Sequence, residues 1–189
     1  MNRHNSYEST MTTETCYKLT TQDLTTHRGY QWTLGEWSET SGEGELCGPG
    51  FLHAYSDPYL AAFMNPHHAD IECPRFFRAE GRKKLDDRGM KCGYSQMRIM
   101  EELPAIEPTL EQKVEFGIRC ALAVCSDEKF VKWANEWLSG EDRTESSAYA
   151  SADYAYAAAD YASYYAADYA AAYAADLIAI AHQVMGVQQ

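Results

Sequence analysis

The longest regular pattern of the chain lies in its last quarter, where alanine and tyrosine dominate residues 148–181. This stretch holds seventeen alanines, eight tyrosines and four aspartates, with no lysine, arginine, glycine or proline. Alanine has the highest intrinsic helix propensity, and glycine and proline are the residues that interrupt helices. The pattern therefore predicts one long Ala/Tyr-rich helix over 144–186, with Thr144 or Ser146 as its N-cap.

Within this predicted helix the tripeptide Ala-Asp-Tyr recurs every seven or eight residues, which places tyrosines along one slowly rotating face. Tyrosine supplies a large contact area at a low cost in side-chain entropy. The face could pack on the domain before it, pair with a second copy, or meet another protein. The predicted partner-binding residues are Tyr154, Tyr161, Tyr165, Tyr169, Tyr173, Asp160 and Asp168.

The region before position 103 has shorter patterns of apolar and polar positions, which are typical of strands. Alternating or apolar segments predict strands at 16–19, 30–34, 71–73, 76–80 and 97–100. Between them, Asp57 followed by Pro58 is typical of a helix start, and we expect this short helix to end before Pro66.

After Pro104 and Pro108 the apolar positions follow a helical spacing. Thr109 and Gln112 form a capping box, and a second helix begins near Asp127 and ends at Gly140. The sequence thus predicts an α+β fold with a small, mostly antiparallel β unit, two packed helices and the long C-terminal helix. The predicted division is a disordered terminus at 1–14, a β-rich domain at 15–103, a helical pair packed on it at 104–140, and the long helix at 144–186.

The composition narrows the class of partner. The formal net charge of −12 argues against a general nucleic-acid binder, which needs a basic surface, and suits a basic protein partner. No run is long and apolar enough to span a membrane, and residues 1–15 lack the apolar core of a signal peptide. Six cysteines without such a signal are most simply reduced thiols, so we expect a cytoplasmic protein.

Metal-type side chains occur together in the middle of the chain, but their spacing matches no standard zinc pattern, which usually contains a close cysteine pair. We therefore expect no metal and no cofactor. These residues are Cys47, His53, His67, His68 and Cys73.

Residues 75–91 form the one locally basic stretch, with seven lysines and arginines against three acidic residues. Such a stretch either contacts phosphate or forms a solvated hairpin, and the solvated hairpin is the commoner outcome.

Several segments resemble a family of phage and bacterial proteins of unknown function. Its members carry an Arg-Gly-Phe-x-Tyr motif, a Leu-Cys-x-x-Gly-Phe-His motif and an Ala- and aromatic-rich tail. The chain has Arg28-Gly29-Tyr30-Gln31-Trp32, then Leu46-Cys47 followed by Gly50-Phe51. It departs from the pattern at Leu52, which separates Phe51 from His53. The resemblance implies a β domain with a helical tail and a phage-related origin.

Three functions follow as hypotheses. The first is a non-enzymatic interaction protein, phage-encoded, that inhibits a host defence complex in the host cytoplasm by covering a basic protein face, as anti-CRISPR proteins do. The second is an ADP-ribosyltransferase-like enzyme, suggested by a loose resemblance to compact folds of that class. In it Arg28 would hold the dinucleotide, His53 or Tyr55 would line the pocket, and Glu72 or Glu80 would be the catalytic carboxylate. The third is a structural protein that self-assembles into a homo-oligomer through 144–186.

Overall fold

The computed structural model of the chain describes residues 12–86, 91–123, 125–144 and 177–187. The strands are β1 Glu14–Thr20, β2 Thr25–Thr26, β3 Tyr30–Gln31, β4 Ser38–Glu39, β5 Leu52–Ala54, β6 Arg75–Asp86 and β7 Cys92–Leu103. The helices are α1 Pro58–His68, α2 Leu110–Leu122 and α3 Glu128–Ser139, and residues 177–185 are also helical and are called α4.

Two 12-residue strands, β6 and β7, form the centre of an antiparallel sheet. Strand β1 pairs with the outer edge of β6, and β4 and β5 pair with successive parts of the free edge of β7. Tyr55, directly after β5, then pairs back with Tyr17 of β1 through two backbone hydrogen bonds of 2.8 and 2.9 Å. The sheet thus curls round and closes on itself, so we call it the closed sheet.

The period of two along each strand separates two cores. Cys16, Phe77 and Tyr94 face the inside of the closed sheet and are 0–2% exposed. Leu19 and Phe76 face outward and pack against α1. One face of the sheet therefore fills its own interior, and the other seats the first helix.

Helix α1 begins as its sequence predicts, because Asp57 accepts a hydrogen bond from the Leu60 amide at 2.8 Å. The expected end before Pro66 is wrong, since the helix continues to His68. A proline inside a helix removes one intrahelical hydrogen bond. Pro66 falls in the last turn, where the Asn65 carbonyl still accepts from the amides of residues 69 and 70.

Helices α2 and α3 form a helical layer together with α4. The capping box at Thr109 and Gln112 is confirmed, and α3 begins at Asp127 and ends at Gly140 in the left-handed conformation. Phe116 of α2 stacks on Phe63 of α1 with ring centroids 4.3 Å apart. The α+β fold class is confirmed.

One predicted strand is wrong, and another is longer than the observed strand. Residues 71–73 form none, because the side chain of Asn65 hydrogen-bonds to both the amide and the carbonyl of Ile71. In 30–34 only Tyr30–Gln31 is a strand, because Trp32 turns inward and its amide donates to the Leu24 carbonyl. The strands expected at 16–19, 76–80 and 97–100 are confirmed within β1, β6 and β7.

The predicted long helix over 144–186 falls mostly outside the described residues, as does most of the predicted terminus at 1–14. The predicted domain boundaries stay predictions. Within the described ranges, no helix combines the length and the hydropathy needed to cross a membrane.

Candidate functional site

The residues predicted to bind a partner all lie in the segment 145–176, outside the described residues. They are Tyr154, Tyr161, Tyr165, Tyr169, Tyr173, Asp160 and Asp168. The structure does describe the two points at which the chain enters and leaves this segment.

The entry point is fixed by Arg143. Its Nη1 pairs with Glu111 in the first turn of α2, and its Nε donates to the Trp137 carbonyl at 3.1 Å. Its guanidinium also lies over the Trp137 ring, 4.7 Å from the ring centroid. The stretch after α3 is therefore held against both α2 and α3.

The exit point is fixed by the buried face of α4. Leu177, Ala181 and Val184 are 0–8% exposed and recur at helical spacing. They pack against a cluster that includes Phe63 of α1 and Phe116 of α2. The segment 145–176 thus leaves and returns at the same helical layer.

A polar contact adds to this docking. Nε2 of His182 in α4 lies 2.5 Å from Oδ2 of Asp57, the N-cap residue of α1. The other ring nitrogen, Nδ1, is buried, and no hydrogen-bond partner for it is described. The ring of His182 packs edge-on against Tyr59 with centroids 5.1 Å apart. The carboxylate of Asp57 therefore contacts two helices: Oδ1 caps α1, and Oδ2 contacts His182 of α4.

An apolar cavity of about 360 Å³ lies between α1, α2 and the first residue of α4. Phe63, Phe116 and Leu177 line it, and the lining also includes the polar residues Lys113 and His67. It also contains Cys120, whose pKa burial raises to about 12, so the thiol stays protonated at neutral pH. The cavity offers apolar contact and no activated nucleophile.

Two lysines contact β5 or the loop that precedes it. Nζ of Lys18 donates to the backbone carbonyl of His53 at 2.5 Å and lies 5.2 Å from the centroid of the Trp32 ring. Burial lowers the pKa of Lys18 to about 8, and no described carboxylate pairs with it. Nζ of Lys91 donates to Sγ of Cys47 at 3.3 Å, on the loop that precedes β5.

His53 lies in β5 between Leu52 and Ala54, which face the inside of the closed sheet. Its Nε2 contacts the Leu46 carbonyl. Burial lowers the pKa of His53, the hydrogen bond to Leu46 opposes that shift, and the positive charges of Lys18, Lys91 and His27 lower the pKa further.

The residues of the ADP-ribosyltransferase-like hypothesis are held in other contacts. Glu80 accepts two hydrogen bonds from Arg98, at 2.6 and 3.0 Å, and the Tyr55 hydroxyl lies 2.9 Å from Nδ1 of His68. Arg28 and Glu72 are exposed. No described hydrogen bond or ion pair joins any of these residues to His53.

The basic stretch at 75–91 contributes the strand β6 rather than a loop. Arg75 pairs with Glu102 at 2.6 Å and Arg78 with Glu101 at 3.1 Å, across to β7. Both contacts are on the surface, where solvent and salt weaken ion pairs. These arginines are therefore engaged within the sheet.

All five metal-type residues lie within the described part of the chain. In the described part of the chain, no three histidine, cysteine or acidic side chains are placed to hold a metal ion together. All six cysteines are free thiols. Burial raises the pKa of Cys16, inside the closed sheet, to about 12.

Sequence reasoning missed Lys18 and His182. A signal for Lys18 was present, because it lies two residues after Cys16 and so shares the inward face of β1. No such signal exists for His182, because its partner Asp57 is 125 residues away in the chain.

Comparison with known proteins agrees with the resemblance in its coarse form. No match was found among curated proteins or among solved structures. The model of a domain of unknown function, DUF7666, matches residues 14–110, from the first residue of β1 to the first residue of α2. The match covers the closed sheet and α1 and amounts to about half of the chain, and the protein therefore belongs to the DUF7666 family.

Proposed function

We propose that the protein is a non-enzymatic interaction protein that uses its DUF7666 unit and helical layer as a scaffold for the segment 145–176. The partner is a basic protein face, and the protein is a phage-encoded inhibitor of a host defence complex that acts in the host cytoplasm. The observation that carries this proposal is the double anchoring of the segment, through Arg143 before it and through Leu177 and His182 after it.

The composition of the anchored segment indicates what it binds. Residues 145–176 hold eight of the fourteen tyrosines of the chain, four aspartates, one glutamate and no basic residue. Tyrosine is enriched at protein interfaces, and carboxylates form their strongest hydrogen bonds with arginine. Fixing both ends of a recognition segment lowers the entropy that it loses on binding. An acidic, tyrosine-rich segment held at both ends suits an arginine-bearing protein surface.

The test removes the segment and keeps its anchors. Truncation after residue 142 would also remove Leu177, Ala181 and Val184 from the core, so a lost partner would have two explanations. Replacing 145–176 with a Gly/Ser linker of about 12 residues avoids this. Such a linker extends to about 40 Å, longer than the roughly 20 Å of the 13-residue helix α2 on which both anchors lie.

Affinity capture from a bacterial lysate, followed by mass spectrometry, then compares four proteins. We expect the full chain to retain a basic partner, and the linker variant and Tyr161→Ala/Tyr165→Ala to lose it. Tyr30→Ala is the matched control, because Tyr30 is exposed on the DUF7666 unit and is not part of the segment. Retention of the same partner by the linker variant would overturn the proposal.

The inhibitor function has its own readout. Expression of the full chain in a host with an active defence system should protect an infecting phage, and Asp160→Asn/Asp168→Asn should abolish that protection. If the chain captures only copies of itself, and light scattering shows an oligomer that the linker variant does not form, self-assembly is the function of the segment instead.

A further inference from the structure

We propose that the apolar cavity between α1 and α2 is the docking site for Tyr173 of the same chain, which lies four residues before Leu177. The contact extends the docking of α4 by one helical turn. This inference does not rest on the proposed function, because it concerns a contact within one molecule. It leaves the tyrosines that are further from α4 for a partner.

The first argument is the direction in which α4 crosses the helical layer. His182, near its C-terminal end, contacts Asp57, the N-cap residue of α1. The Val184 carbonyl accepts a hydrogen bond of 3.2 Å from Nε2 of Gln112, in the first turn of α2. Leu177, at the start of α4, packs instead in the apolar cluster further along both helices. The chain before Leu177 therefore leads away from the N-terminal ends of α1 and α2.

The second argument is that the cavity continues the surface on which α4 already lies. Phe63, Phe116 and Leu177 belong to the buried cluster under α4 and also line the cavity. Met64 and Cys120 pack against that cluster and line the cavity as well. All the lining residues of α1 come from its second half, which is the side toward which the chain before Leu177 leads.

The third argument is the spacing of the residues that α4 buries. Leu177, Ala181 and Val184 recur every three or four residues, and Tyr173 is the next position of this stripe in the N-terminal direction. No glycine or proline separates Tyr173 from Leu177. The helix predicted over 144–186 places Tyr173 one turn, or about 6 Å, before Leu177 along the helix axis.

The fourth argument is the match in size and polarity. A cavity of about 150 Å³ holds a benzene molecule, so the volume of about 360 Å³ accommodates a tyrosine ring with space to spare. A buried tyrosine usually keeps a partner for its hydroxyl. Lys113 and His67 are exposed residues of the lining, so the hydroxyl of Tyr173 can stay in contact with water at this polar edge.

The experiment places the photo-crosslinker p-benzoylphenylalanine at position 173 of the full chain or, as the matched control, at position 161. Position 161 is twelve residues further from α4, about 18 Å along the predicted helix. Mass spectrometry of the irradiated, purified protein locates the crosslinks. We expect position 173 to crosslink within one chain to peptides that contain Met64 or Cys120, and position 161 to crosslink to neither.

The reactivity of Cys120 gives a second readout. Cys120 and Cys125 are both half-buried thiols, but only Cys120 lines the cavity. Tyr173→Ala should speed the alkylation of Cys120 by N-ethylmaleimide about tenfold and leave Cys125 unchanged, because the opening is local. Tyr173→Phe should keep the protection, since it retains the ring. Tyr161→Ala is the matched control and should change neither rate.

The other possible occupants give different results. Covalent dimers from position 173, or protection of Cys120 that grows with protein concentration, would assign the cavity to a second copy and overturn the proposal. Absence of both crosslinks, or equal rates at Cys120 in Tyr173→Ala and Tyr161→Ala, would overturn it as well. If Tyr173→Ala also speeds the alkylation of Cys125, the whole layer has loosened and the crosslinks decide. Because no partner is present, these outcomes are separate from those of the affinity capture.

Discussion

The closed sheet and the helical layer are held together in different ways. In the sheet, β6 and β7 pair over ten residue positions, and backbone hydrogen bonds close the ring at Tyr17 and Tyr55. In the helical layer, α4 is held through one apolar face, the contact between His182 and Asp57, and a hydrogen bond of 3.2 Å from Nε2 of Gln112 to the Val184 carbonyl. Because side-chain docking can be lost without breaking the sheet, we expect α4 to detach before the DUF7666 unit unfolds.

The largest expected effect comes from breaking the sheet. A Cβ at Gly81 would lie 2.3 Å from Cδ1 of Tyr94, whose ring is fully buried and whose hydroxyl is bonded to Glu14. The ring has no room to move, so Gly81→Ala should lower the free energy of unfolding by about 3 kcal/mol. Urea denaturation followed by far-UV circular dichroism measures this. A loss below about 0.5 kcal/mol would show that the interior is not close-packed at this point.

The next effect breaks the helical layer and leaves the sheet intact. Asp57→Asn keeps an N-cap acceptor for the Leu60 amide but removes the carboxylate that faces His182. We expect a loss of about 1–2 kcal/mol and faster hydrogen exchange at 177–187. Asp127→Asn is the matched control, because Asp127 caps α3 in the same way and contacts no histidine. Equal losses in the two variants would mean that the contact with His182 adds nothing.

The third expected effect is the free-energy cost of keeping the charged side chain of Lys18 inside the closed sheet. Burial lowers the pKa of Lys18 to about 8, whereas an unfolded chain has a value of about 10.4. Between about pH 8 and 10.4 the unfolded state binds more protons at Lys18 than the folded state, so the free energy of unfolding rises with pH. Below about pH 8 the full cost of the buried charge is present.

Lys18→Met should therefore stabilise the protein at pH 7. Its advantage over the unmodified chain should shrink by about 1 kcal/mol per pH unit between pH 8 and 10. Taking the difference between the two proteins removes most of the opposing contribution of the buried thiols of Cys16 and Cys120. Lys129→Met, at an exposed position, should give a difference that is flat with pH, and a flat difference for Lys18→Met would contradict the prediction.

The smallest effect strengthens the helical layer. A Cβ at Gly117 of α2 would meet no atom within 4 Å, and the residue lies inside a helix. Gly117→Ala should therefore raise the free energy of unfolding by about 0.5–1 kcal/mol, because alanine loses less backbone entropy on folding than glycine. Urea denaturation of Gly117→Ala and of Gly81→Ala compares the effect of the same glycine-to-alanine change in the helical layer and in the closed sheet. A loss of stability in both would show that the cavity beside Gly117 is already filled.

Local signals in the sequence were sufficient for several elements. The capping box at Thr109, the cap at Asp57 and the C-terminal glycine at Gly140 depend on neighbours within about four residues, and all three are confirmed. The α+β class follows from the change from strand-like to helical spacing after Pro104. These features could be predicted because the interactions that form them are short in sequence.

Other features were set by contacts that are distant in sequence. Ile71 was expected in a strand, but its backbone groups are satisfied by the side chain of Asn65. The contact of Lys18 with the backbone carbonyl of His53 was not predicted, because these residues are 35 positions apart and meet only when the sheet has closed. The spacing of these residues along the chain carries no trace of that meeting.

The sequence by itself determined the α+β class, where the helices are capped, and that an acidic, tyrosine-rich segment lies between residues 144 and 177. Only the tertiary structure decided that the sheet closes between Tyr17 and Tyr55, that Asp57 holds His182 across 125 residues, and that a lysine lies inside an acidic protein without a described carboxylate partner. The physical reason is that propensity and capping act within one turn or strand. Burial and electrostatic contact depend instead on which distant segments the fold brings together.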